Sequence, residues 1–548
     1  MTTATITLKT DTKDNWESTN RVLKENEPGF ERVTIDGEDY VNMKLGDGVT
    51  PWNSLGYVWR MRNDIQINDN ISTDSTTYSS QKIDNMINSA VANRAKQYGV
   101  RFVGSSKEGT RLGDAVGLTA SAGTDLVDAY NDFDYIMPWK CRRVNGALDE
   151  NGDFDVVAIE GEPYFSLDGT NGDVFVERPK FYYKYVFADD YFEVWICTEQ
   201  LEGYQLPKRF VKSDGTVADV IYKACYKMGL DGSGNPTSVS GKNTMLTYTL
   251  GQGLTKARTL SDYYCLETTY DRQIEELLFM VEYATRDTHS VMSGASNLAY
   301  NNTEDVSTIA TSDTNSIIVS NDVAKKYVIG QTIVIGSSKN GEEISDYTDG
   351  RRIVSISTYN DGNKSIVFDG DAIDSIPVGS FLSSRCWYSG GSDDVLSPSG
   401  QCGNLNDGKH QCRYRYIEDL WGNQWSWLCD ILIFNYQTYV CDDDAIRYIA
   451  SDPRESEYYK AVDYTNSNGA GYIKEFGYDE DYPYVRITTV VGGSSATYFC
   501  DYYSPGSGLR AFRVGGYVIT NGGLLTQSAA YDPTDSFWSI GCRLSYFV

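Results

Sequence analysis

The sequence predicts a β-rich α+β protein built from several units, and three observations carry that reading. Fifty glycines and 42 tyrosines against thirteen prolines favour turns and pleated, half-buried strands, because aromatic side chains pack well on a sheet surface. Turn dipeptides such as Asn151-Gly152 recur between short alternating runs. Long stripes at helical spacing are confined to two segments. At 548 residues the chain is several times the usual domain size, which predicts roughly three to five domains.

Composition narrows the function. An aromatic fraction of 13% and a hydrophobic fraction of 41% supply enough apolar surface to offset the ordering entropy of the chain. The net charge of −28 repels phosphate backbones and anionic lipid, which argues against nucleic-acid and membrane-surface partners. The start carries no apolar run of signal-peptide length, and no segment reaches eighteen uninterrupted apolar residues, so neither export nor membrane insertion is expected. Eleven cysteines without CxxC pairs fit buried free thiols better than a disulfide framework or a paired zinc knuckle.

Taken in order, residues 1–66 alternate short strand-like pieces with tight turns, including Ile35-Asp36-Gly37-Glu38 and Gly46-Asp47-Gly48-Val49. Residues 67–99 read as a polar linker and a helical neck. There Ile83, Met86, Ile87, Ala90, Val91, Ala95 and Tyr98 form a stripe that serves equally as a coiled-coil seam or as a face docked on a neighbour. Residues 100–301 are mostly strands, with one clear helix at Asp271–Thr285, where Ile274, Leu277, Leu278, Val281 and Ala284 recur at helical spacing. Residues 302–385 hold short β-branched runs such as NSIIVS and KSIVFDG, the texture of an inserted small barrel or sandwich. Residues 386–548 resume the aromatic style of 100–301, so the two flanks are expected to fold together.

Candidate chemistry is sparse. Two histidines, His289 and His410, leave little room for a Ser-His-Asp or Cys-His engine. His410 with Cys402, Cys412 and Cys429 matches no common zinc spacing. Asp149, Asn151, Asp153 and Glu160 fit positions of a calcium loop, but Phe154 stands where its sharp bend needs glycine, so a hairpin turn is the better reading. Asp442-Asp443-Asp444 reads as a solvated loop or helix start. No metal, cofactor or catalytic residue is expected. In IEDLWGNQWSW, the preceding RYRYIEDLW suits a short helix ended by Gly422-Asn423, and QWSWLCDILIF a strand with Trp425, Trp427, Cys429 and Ile431 on one face. Tryptophans so placed are more often core than ligand platform.

That stretch resembles the tryptophan signature of the formylglycine-generating-enzyme-like branch of the C-type lectin fold, which also occurs in phage receptor-binding proteins such as the major tropism determinant. ELLFMVEYAT looks like the helix that precedes the signature in phage members. The closing residues, a Gly-Gly pair, a variable stretch and then Ile-Gly-x-Arg-Leu, are similar to their ending. Ser426 stands where relatives often carry Glu, and Tyr517-Val518 where they carry Ser-Trp. The N-terminus resembles, independently, the small module of phage tail-fibre proteins through Trp16, Leu23, Glu27, Gly29, Lys44, Gly46, Asp47, Gly48, Trp52, Asn53 and Leu55.

The resemblance implies a phage virion fibre made in the bacterial cytoplasm. It would comprise a virion-anchoring module, a neck and a C-type-lectin-like head with an inserted β domain, assembled as a homotrimer that binds other virion proteins and a host cell-surface glycan or protein. It makes Trp421, Gly422, Asn423, Trp425, Trp427, Gly541 and Arg543 the structural signature. Receptor contacts are expected between Gly516 and Ser539, at Tyr517, Ile519, Asn521, Gln527, Tyr531, Asp535 and Phe537, each of which can equally fill the core or a trimer seam. Enzymes of the branch need a cysteine pair near the C-terminal end. Only Cys500 and Cys542 lie there, widely spaced, so no oxidase activity is expected. A capsid or tail decoration protein and a glycan depolymerase are the competing readings.

Overall fold

The computed structural model describes residues 9–35, 38–62, 95–296, 305–338, 345–441, 452–516 and 522–546. Among the described residues strands make up 40% and helices 11%, so the protein is β-rich. It divides into two compact units, 1–94 and 95–548. Most of the neck stripe, Ile83 to Val91, lies outside the described residues, as do Asp442, Asp443 and Asp444. The far end of the neck corrects the helical reading: Gln97–Val103 is a strand, and Tyr98 points from it into a core. Tyr-Gly-Val-Arg-Phe-Val alternates with period two, and that local pattern prevails over the helical stripe that precedes it.

The N-terminal unit is a four-stranded sheet in the order Lys9–Thr12, Pro28–Ile35, Glu38–Leu45, Tyr57–Arg62, with the first pair parallel and the rest antiparallel. It also holds a helix, Lys13–Thr19, that the turn chemistry of the segment concealed. Thr12 caps its start and Asn20, at φ 38°, ends it. Among the described residues the core is three side chains, Trp16, Leu23 and Trp52. The two indoles stack at 4.1 Å. A Cβ on Gly29 would lie 2.6 Å from the Trp52 ring, and one on Gly46 2.3 Å from the Lys24 carbonyl oxygen, so both positions demand glycine. Lys44 donates to the Trp52 carbonyl at 2.9 Å and sits 4.4 Å from the Tyr57 ring, and burial pulls its pKa down. Glu27 accepts from the Lys24 N–H, Asp47 from those of Val49 and Thr50, and the Asn53 amide donates to the Glu17 carbonyl.

In the second unit the largest sheet runs in the order 459–465, 437–441, 425–434, 509–514, 527–531, 502–504, 471–476, 488–491, with Ile540–Gly541 added parallel to Trp425–Phe434. Two four-stranded sheets hold residues 97–113 with 182–197, and 142–159 with 173–179 and 220–224. The segment Asp149–Asp153 is a hairpin turn between Arg142–Leu148 and Phe154–Ile159, and Asp149 accepts from the amides of Asn151 and Asp153. Residues 307–384 have a core of their own, built from Ile317, Val319, Ile333, Ile335, Ile366 and Phe368 among others. The segments on either side of them share two cores, and Tyr264–Leu266 pairs with Leu544–Tyr546. All eleven cysteines are thiols.

The helix Thr269–Tyr283 lies at the centre of this unit. The stripe predicts one buried face, yet the polar face is buried as well. Arg178 meets Glu275 at 2.7 Å, Arg209 meets Asp271 at 2.9 Å, Arg415 meets Glu282 at 2.6 Å, and Arg486 pairs with Glu276. Buried carboxylates are tolerated there because each has a cation in contact. Asp430, on the adjoining strand, accepts from the Thr269 N–H at 2.9 Å and so satisfies a donor at the helix start.

Burial pushes the Asp430 carboxyl from its ordinary 3.8 to about 6. The folded value lies above the unfolded one, so the linked stability is fully present below pH 3.8 and is lost as pH rises through about 6. Asp430→Asn is therefore expected to gain on the wild type between pH 4 and pH 8, by up to ~3 kcal/mol. Denaturant midpoints of both proteins at the two pH values check this; a difference that does not change with pH contradicts it.

Candidate functional site

The Trp-Gly-Asn stretch is a joint in the fold. The predicted helix over RYRYIEDLW does not form: Cys412–Tyr414 and Ile417–Glu418 are short strands joined by a turn in which Arg415 and Tyr416 take φ 49° and 66°. The physical reason is long-range, since Arg415 reaches Glu282 and Asp134 while Arg413 donates to the Ser397 carbonyl. Gly422 has φ 75°, and a Cβ there would lie 2.9 Å from the Ala295 nitrogen. Asn423, at φ 56°, accepts from the Trp387 N–H at 2.7 Å and donates to Asp419 at 2.7 Å. Trp421 and Trp427 are fully buried, and their indole N–H groups donate to the carbonyls of Met292 and Tyr248. Ser426 is also buried and accepts from Lys227. A Cβ on Gly541 would strike the Gln424 side chain at 2.1 Å. Arg543 is buried and donates to the carbonyls of Ala224, Cys225 and Glu418.

Downstream, the expected contact residues separate into three groups. Tyr517, Ile519 and Asn521 lie outside the described residues. Their flanks are tied together: the Gly515 N–H donates to the Thr526 carbonyl, and a Cβ on Gly516 would lie 3.1 Å from Gly522 Cα. His289 bonds the Gly522 carbonyl, and Asp501 accepts from the Leu525 N–H at 2.8 Å. One expected contact is corrected. Gln527 is buried, accepts from the Thr488 hydroxyl at 3.1 Å and donates to the Arg486 carbonyl at 2.7 Å, so its amide joins strands instead of facing a receptor. The Asp535 carboxylate accepts from the Asp532 N–H at 2.8 Å and closes a turn.

Tyr531 and Phe537 remain, and they meet edge to face at 4.8 Å. Phe537 is 38% exposed. Beneath them Arg513 lies 3.7 Å from the Tyr531 ring and 4.4 Å from that of Trp425, a residue 9% exposed. Cation–π contact with two rings ties Tyr531 to Trp425 through the guanidinium. Arg513 was missed in the sequence; its signal is an arginine inside the apolar strand Leu509–Val514. The result is a small aromatic patch beside the tied base of 517–521.

His410 pairs with Asp407 at 2.6 Å, while Cys412 and Cys429 contact the carbonyls of Trp421 and Leu266. Among the described residues no cluster of three or more His, Cys, Asp or Glu is placed to hold a metal ion. Against known proteins, the chain matches no family model and no curated protein.

Proposed function

We propose that the chain is a bacteriophage virion fibre protein that attaches the particle to a host cell through a C-type-lectin-like C-terminal head. Its N-terminal unit joins other virion proteins, and three copies assemble. One observation carries the reading. The residues that resemble the tail-fibre module, Trp16, Leu23, Glu27, Gly29, Lys44, Gly46, Asp47, Trp52 and Asn53, are bonded or packed within that unit. Those that resemble the head signature, Trp421 to Trp427 with Gly541 and Arg543, are likewise spent on internal contacts. The likeness at each end is therefore a likeness of positions that pack or hydrogen-bond within the fold. Trimerisation suits the role, because linked weak contacts gain by effective concentration.

The test is binding of purified chain to host cells and, separately, to the remaining virion proteins. Binding to cells is expected; binding to virion proteins alone makes it a decoration protein instead. Release of oligosaccharide from the cell surface makes it a depolymerase. Tyr531→Ala and Phe537→Ala together are expected to weaken adsorption at least tenfold while the unit stays folded, since aromatic anchors dominate such contacts. Full adsorption by a folded double variant removes the patch from the binding surface.

A further inference from the structure

A second feature lies elsewhere in the unit, with no counterpart in the expected contacts. The hairpin Tyr182–Phe187 and Tyr191–Cys197, the strand Gly471–Phe476 and the pair Tyr498-Phe499 enclose a cleft of about 520 Å³. That volume falls within the usual range of small-ligand sites, about 300–1,000 Å³.

Its outer wall is aromatic. Phe187 is 58% and Tyr478 38% exposed, with ring centroids 5.2 Å apart, and Tyr185 meets Tyr478 edge to face. Exposed aromatic rings grouped in a concave site lose nothing when an apolar face covers them.

The floor is cationic and underused. Arg286 has rings of Phe102, Phe192, Tyr498 and Phe499 within 5.8 Å and bonds the carbonyls of Gly104 and Ser106, with no carboxylate partner among the described residues. The Arg486 side chain is 9% exposed and pairs with Glu276, yet its buried Nε has no hydrogen-bond partner among the described residues. At the rim stand the carboxylates of Asp189, Asp190 and Glu475.

We propose that this cleft binds a pyranose unit of a neutral glycan. A pyranose presents an apolar C–H face to Phe187 and Tyr478 and a belt of hydroxyls that donate to the rim carboxylates. The carboxylates of Asp189, Asp190 and Glu475 are matched in number by Arg286, Lys474 and Arg486, so a phosphate-bearing ligand gains no net local charge and meets the chain's net charge of −28. A purely apolar peptide leaves the carboxylates unanswered. The site stands whether or not the chain is a virion fibre.

The test is saturation-transfer NMR on the full chain with glucose, galactose, mannose, rhamnose, N-acetylglucosamine and their short oligomers. Transfer to the ring protons of at least one sugar is expected, with Phe187→Ala and Tyr478→Ala each weakening affinity about tenfold, the worth of one aromatic contact. Both side chains are exposed, so melting temperatures should not change. No transfer from any sugar, or transfer that survives both substitutions, overturns the proposal. Cell adsorption that persists in a chain failing this test leaves the attachment reading intact and removes only the cleft.

Discussion

Replacing Arg543 by methionine is expected to destabilise the second unit by ~3–5 kcal/mol. Its guanidinium is fully buried and donates to three carbonyls, those of Ala224, Cys225 and Glu418, which belong to segments more than a hundred residues away in the chain. Methionine fills much of the volume but removes the arginine donors; the Cys225 carbonyl keeps the Glu418 N–H, while those of Ala224 and Glu418 lose a buried partner at about 1–3 kcal/mol each. Chemical denaturation followed by tryptophan fluorescence measures the loss. A variant within about 1 kcal/mol of wild type would mean that water or a neighbouring donor replaces the arginine at little cost, and the closing signature would then not be a structural joint.

Trp52→Ala is expected to unfold the N-terminal unit alone. Removing a buried tryptophan costs ~3–5 kcal/mol, and a small unit rarely has more than that in reserve. The loss here takes a third of the described core, the stack on Trp16 and the ring above Lys44. Proteolysis should cut within residues 9–62 while residues 95–548 stay protected. On the proposed function, the same variant should be missing from assembled virions while its free head still binds cells. Normal incorporation of an unfolded N-terminal unit would detach that unit from anchoring.

Local signals in the sequence sufficed where an element is held by its own pattern. Ile274, Leu277, Leu278 and Val281 announce a helix, Asn151-Gly152 a hairpin, and the alternation after Gln424 a strand, and all three form. The reading failed where distant partners decide. Arg415 and Tyr416 leave the helical region because Glu282, far back in the chain, holds the arginine. The polar face of Thr269–Tyr283 is buried because four arginines from scattered segments answer its carboxylates. Gln527 looks like a contact residue by type, yet Thr488, at the start of the strand Thr488–Val491, and Arg486 just before it claim its amide. Arg513 and the aromatic cleft went unseen for the same reason, since the cleft assembles residues from Phe102 to Phe499 that no spacing rule connects.

The tryptophan stretch at 421–427 is thus frame, and recognition is assigned to exposed side chains elsewhere. The most direct test of the whole account is electron cryo-microscopy of the phage particle decorated with antibody fragments raised separately against residues 9–62 and 95–548. The account predicts that fragments against the second unit bind at the free end of a fibre and block adsorption, while those against the first find no accessible site. Labelling of the first unit at the free end, with the second buried in the particle, would contradict it.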